Sequence, residues 1–109
     1  MSDTTVTTSL PSRRLVIRTR DLELTGDFVG WRFTARMNPT LYTLAELSSK
    51  EFERIIAAMT QIVRAWNFVD EEGKDMPAPS EESVGQLPTD LLNAMIARYN
   101  EELSALPKT

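Results

Sequence analysis

The stretch from Ala65 to Leu92, AWNFVDEEGKDMPAPSEESVGQLPTDLL, joins two segments of helical periodicity through aromatics, an acidic turn and three prolines. Upstream of it, Phe52, Ile55, Ile56, Met59, Ile62, Val63 and Trp66 recur at three- and four-residue steps, which predicts a helix with one buried face running to Trp66. Downstream, a helix is expected to open at Leu87-Pro88, to carry Leu91, Leu92, Met95, Ile96, Tyr99 and Leu103 on one stripe, and to end before Pro107. Between the two, Asn67, Phe68 and Val69 favour extended backbone and Gly73 marks a turn. Residues 67–87 therefore read as an acidic, proline-containing loop, its centre from Glu72 to Gln86 long enough to be a functional candidate.

Working outward toward the N-terminus, Ser48 or Ser49 suits a helix start, with Glu51 and Glu53 near the positive end of the dipole. Asn38-Pro39 suggests another, leading into a short helix through Leu47. Before it the period changes to two. Leu15, Ile17 and Thr19 alternate with Val16, Arg18 and Arg20, while Val29, Trp31, Phe33 and Ala35 alternate with Gly30, Arg32, Thr34 and Arg36. With a Gly-containing turn in the intervening Leu22-Glu23-Leu24-Thr25-Gly26-Asp27, this predicts an antiparallel hairpin of two or three strands, apolar on one face and cationic on the other. Residues 1–12 are rich in Ser and Thr and read as a flexible tail. The expected architecture is a mainly α (α+β) single domain over 13–109. A β-hairpin at 13–37 is followed by helices at 38–66, the loop at 67–87 and a C-terminal helix at 88–105, about three helices in all.

Composition narrows the chemistry. The 109 residues include neither cysteine nor histidine, which removes disulfides, thiolate nucleophiles and the commonest general base and metal ligand. Asp70, Glu71, Glu72 and Asp75 form the one acidic group that could attract a cation, but they lack the alternating ligands, central Gly and terminal Glu of an EF-hand loop. They read as a solvated turn. There is no Walker loop, GxGxxG or GxSxG, and the four glycines are dispersed. The expectation is no enzyme, no metal and no cofactor.

Nor is there an apolar run of the ~20 residues needed to cross a bilayer, so no membrane association is expected. The net charge of −4 is unevenly spread: residues 1–40 carry six basic and four acidic groups, residues 41–109 six and twelve. Such polarity can orient a protein partner. Arg14, Arg18, Arg20, Arg32 and Arg36 near Trp31 and Phe33 would be the surface for nucleic acid, yet Asp21, Glu23 and Asp27 lie among them and the protein is acidic. Nucleic acid is the less favoured partner.

The order of parts resembles the tail assembly chaperones of long-tailed phages. It covers Gly30-Trp31-Arg32-Phe33-Thr34-Ala35-Arg36, Asn38-Pro39, the central helix ending in Trp66-Asn67-Phe68, the turn Asp70-Glu71-Glu72-Gly73, the Pro77/Pro79 spacer and Leu87-Pro88-Thr89-Asp90-Leu91-Leu92. That resemblance implies a small, mainly helical, non-enzymatic factor of the host bacterial cytoplasm that binds the tape measure protein and keeps it soluble. It also implies help in recruiting tail tube subunits and absence from the finished particle, while the charge polarity of the chain would help self-association or docking. Candidate partner contacts are Trp31, Arg32, Arg36, Phe68, Leu87, Leu91 and Met95. Members of that family are also made in a longer form by a −1 ribosomal frameshift, and Leu106-Pro107-Lys108 admits codons that form a slip-prone heptamer. The competing readings are a structural tail or head–tail connector component and a nucleic-acid-binding regulatory module.

Overall fold

A computed structural model describes residues 10–105. Its sheet has three antiparallel strands in the order β1-β2-β3: β1 is Thr19–Glu23, β2 is Arg32–Arg36 and β3 is Val63–Trp66. Leu22 pairs with Phe33 across β1 and β2, and both are buried. The connection passes through a 3-10 turn, Gly26–Phe28, and Gly30, whose φ of 92° lies in the left-handed region that a side chain disfavours.

The hairpin therefore starts later than its alternation suggests. Leu15, Val16 and Ile17, expected in the first strand, are exposed and precede it, whereas Leu22 and Leu24, expected in the turn, enter the core. Cross-strand pairing decides this, because the buried Phe33 on β2 takes Leu22 as its apolar partner opposite.

Four helices follow or interrupt the sheet. The first, α1, is Leu41–Leu47 and is capped not by Asn38 but by Thr40, whose hydroxyl accepts from the Thr43 N–H at 3.1 Å. The second, α2, is Phe52–Ile62 and starts after Glu51, while the Ser49 hydroxyl accepts from the Glu51 N–H. It stops four residues before Trp66. From Val63 the chain is β3, with Phe33 opposite Trp66, Thr34 opposite Ala65 and Ala35 opposite Val63, so that Arg64 bulges out of the ladder. The bulge restores Val63 and Trp66 to one face three residues apart, which mimics helical spacing. That coincidence is why the periodicity extends the helix too far.

After β3, a tight turn from Asp70 to Lys74 closes on a bridge between Val69 and Asp75. Glu81–Gly85, expected inside the loop, forms α3. Its capping box uses serine at both positions: the Ser80 hydroxyl accepts from the Ser83 N–H at 3.1 Å, and the Ser83 hydroxyl accepts from the Ser80 N–H at 2.8 Å. The last helix, α4, is Thr89–Ser104 and buries Leu91, Met95 and Tyr99 at four-residue steps, as its stripe predicts. One connected apolar core joins the sheet to α2, α3 and α4, making the expected mainly helical α+β domain, with four helices among the described residues. The N-terminal tail before residue 10, the helix stop at Pro107 and the Leu106-Pro107-Lys108 segment lie outside the described residues. Among the described residues no helix is long and apolar enough to cross a membrane.

Candidate partner-binding surfaces

Two concave apolar surfaces border the junction between α3 and α4. The first is a groove of about 490 Å³ between α2, α3 and α4, walled by Phe52, Ile55 and Ile56 on one side and by Leu92, Asn93 and Ile96 on the other. Val84, Gly85, Leu87 and Thr89 close its end. Sequence periodicity assigns Phe52 to the core, but at the first position of α2 it is 72% exposed. The signal for a groove is the width of the stripes: Ile55-Ile56, Leu91-Leu92 and Met95-Ile96 are adjacent pairs about 100° apart on their helices, too broad for one packed face. The buried faces take Met59, Leu91 and Met95, and the neighbours face the groove.

The second surface is a cleft of about 500 Å³ at the tip of the β1–β2 hairpin, lined by Phe28, Trp31, Val69, Met76, Pro88 and Leu91, with Asp70 and Glu71 on its rim. A run of aromatic contacts begins in its wall and continues behind it. Phe28 meets Trp31 edge-on at 5.6 Å between ring centroids, Trp31 meets Phe68 at 5.3 Å, and Phe68 stacks on Trp66 at 5.0 Å. Trp66 Nε1 donates to the Pro77 carbonyl at 3.1 Å, tying the run to the segment before α3. Asn67 holds the start of β2: its Oδ1 accepts from the Arg32 N–H at 2.9 Å and its Nδ2 donates to the Gly30 carbonyl at 3.1 Å.

The predicted contact residues divide. Phe68, Leu87, Leu91 and Met95 are buried, so they hold the domain together instead of standing ready as surface anchors. Leu87 floors the groove and Leu91 the cleft, while Phe68 and Met95 line neither. Trp31 is half-buried in the cleft wall. Arg32 is exposed on the outer sheet face, and the Arg36 Nε donates to the Asn38 carbonyl at 3.0 Å.

The outer face does not combine arginines with free aromatic rings. Phe33 is buried, and Arg20 is not on that face: it stands opposite Ala35, on the side of Leu22, and is paired with Glu102. Hydrogen bonds from Arg98 and then Arg20 hold the Glu102 carboxyl below the usual carboxylate range. Tyr99, inside the core, donates to the Arg36 carbonyl at 2.6 Å, and burial pushes its pKa up to about 12 although the nearby Arg36 charge opposes the rise. In the acidic turn, Asp70 Oδ1 accepts from the Glu72 and Lys74 N–H groups at 2.9 Å, which makes it a structural turn residue. No three carboxylates converge as a metal site among the described residues. No protein-family model, curated protein or solved structure matches the chain.

Proposed function

We propose that the chain is a non-enzymatic phage tail assembly chaperone that binds apolar helical segments of the tape measure protein in the host bacterial cytoplasm and assists assembly of the tail tube around it. The observation that carries this reading is the groove between α2, α3 and α4, whose walls carry Ile55, Ile56, Leu92 and Ile96 and whose rim residue Phe52 stands free. A helix laying its i, i+3, i+4 and i+7 side chains between α2 and α4 would cover Phe52, Ile55, Leu92 and Ile96. The groove contains no charged wall residue, which suits a client recognised by its apolar stripe. A tape measure chain has such stripes before the tube encloses it.

Co-expression with the long coiled-coil-rich protein encoded downstream tests this. The expected result is that the partner becomes soluble and co-elutes, and that Phe52→Glu or Ile96→Glu weakens co-elution about tenfold or more. Phe52 is the better probe because its exposure separates binding from folding. Absence of association, with the protein found in purified particles, would replace the chaperone reading with that of a structural component.

A further inference from the structure

Residues 10–18 leave the domain as an extended arm whose side chains are all exposed. Leu15 is 96% exposed, and Val16 and Ile17 beside it are also open to solvent, an unusual concentration of aliphatic surface. Arg13, Arg14 and Arg18 share the segment, which holds no acidic residue, and none of the three is in an ion pair among the described residues. The root of the arm is directed. The Met37 N–H donates to the Arg18 carbonyl at 2.6 Å, continuing the ladder one step beyond Thr19 and Arg36. Asn38 accepts from the Arg18 N–H at 2.9 Å and donates to the Val16 carbonyl at 2.7 Å. The arm thus leaves along the line of β1, away from the hairpin tip, and its nine residues reach about 30 Å.

The cleft at the hairpin tip has the complementary chemistry. Trp31, Phe28, Val69 and Met76 supply apolar and aromatic wall, Glu71 stands on the rim and Asp27 adjoins Phe28. Neither Asp27 nor Glu71 is in an ion pair among the described residues; Lys74, in the same turn, lies 3.8 Å from Glu72. Guanidinium groups pair with such carboxylates and stack on indole faces, while Leu15 and Ile17 fit the apolar wall. The arm points away from this cleft on its own molecule.

We propose that residues 10–18 of one copy seat in the hairpin-tip cleft of a second copy, so that the chain associates head to tail. The surfaces that meet are different, so each pair keeps one free arm and one free cleft, and assembly proceeds to a ring or an open filament. The groove shares no lining residue with the cleft, and this inference does not depend on the chaperone reading.

Sedimentation velocity and light scattering of the full chain after nuclease treatment test the proposal. The expected result is a series of species that grows with protein concentration and shrinks with added salt. Leu15→Asp with Ile17→Asp removes the donor, and Asp27→Lys with Glu71→Lys removes the acceptor; each variant should weaken association at least about tenfold while keeping the wild-type unfolding midpoint, since all four side chains are exposed. Mixing the two variants should produce a one-to-one dimer and nothing larger, because one intact arm and one intact cleft remain. A wild-type protein that stays monomeric, assembly that nuclease abolishes, an arm variant that assembles normally, or a mixture that yields no dimer would overturn the proposal.

Discussion

The two ends of β2 are fastened by the same kind of residue and yet are built differently. At its start Asn67 grips the Gly30 carbonyl and the Arg32 N–H, and an aromatic run closes over the joint. At its end Asn38 grips the Val16 carbonyl and the Arg18 N–H, and beside it the buried Tyr99 donates to the Arg36 carbonyl and Glu102 pairs with Arg20 and Arg98. An asparagine clamp sets direction in both places. What differs is the partners around it, stacked rings at the tip and titratable or charged side chains at the arm end, so the tip should resist changes of pH and salt, and the arm end should respond to them.

The largest effect is expected from breaking the tip. Phe68→Ala removes a ring packed between Trp31 and Trp66 and should cost about 3–5 kcal/mol in urea unfolding, followed by tryptophan fluorescence. A loss below about 1 kcal/mol would mean that the aromatic run does not support the fold.

The arm end has its own strong test in alkali. Tyr99 ionises near 10 when unfolded and near 12 when folded, so the folded state holds the extra proton between those values. Stability is then intact below pH 10 and should fall as pH rises toward 12, by roughly 2 kcal/mol, with Tyr99→Phe flattening the slope.

The two clamps can be compared directly. Asn67→Ala should destabilise the whole domain by about 1–2 kcal/mol, because its partners belong to the closed joint. Asn38→Ala should leave the unfolding midpoint nearly unchanged while speeding amide exchange at Arg18 and Met37. Equal effects from the two substitutions would erase the distinction between the ends.

The smallest effect concerns Glu102. Its lowered pKa means that its contribution is present above the ordinary carboxylate range and is lost as pH falls through the folded value. Acid should therefore loosen the contact of Arg20 with α4 first, seen as faster exchange in β1 than in β3, and Glu102→Gln should remove the difference.

The same physical division decides what can be read from the chain. The stripe of α4 is legible because Leu91, Met95 and Tyr99 repeat on a regular helix with few competing signals. The strand β3 is illegible because a bulge at Arg64 gives Val63 and Trp66 a helix-like spacing, and pairing with β2 overrides the local preference. Glu81–Gly85 is hidden by serine in place of the usual Glu or Gln in its capping box and by the prolines just before it. Of the candidate site residues, Trp31 lies on a concave surface as an accessible side chain, whereas Phe68 and Met95 are aromatic and aliphatic for the sake of the core. Phe52, Ile55 and Ile96 satisfy a core pattern equally well, and only packing separates the buried members of a broad stripe from those left facing a groove.

The junction of α2 and β3 sets a rule for how this chain tolerates changes of length. Helix gives way to strand between Ile62 and Val63 with no connecting residue. One inserted residue would either turn the preceding helical face by about 100° or exchange the two faces of the strand, and no slack exists to absorb it. The turn at Gly73, exposed and closed by hydrogen bonds that stay within Phe68 to Met76, could take a tag or a short insertion with the core register intact. Length variation among natural or engineered versions of the chain should therefore collect at that turn and be missing from the helix-to-strand joint.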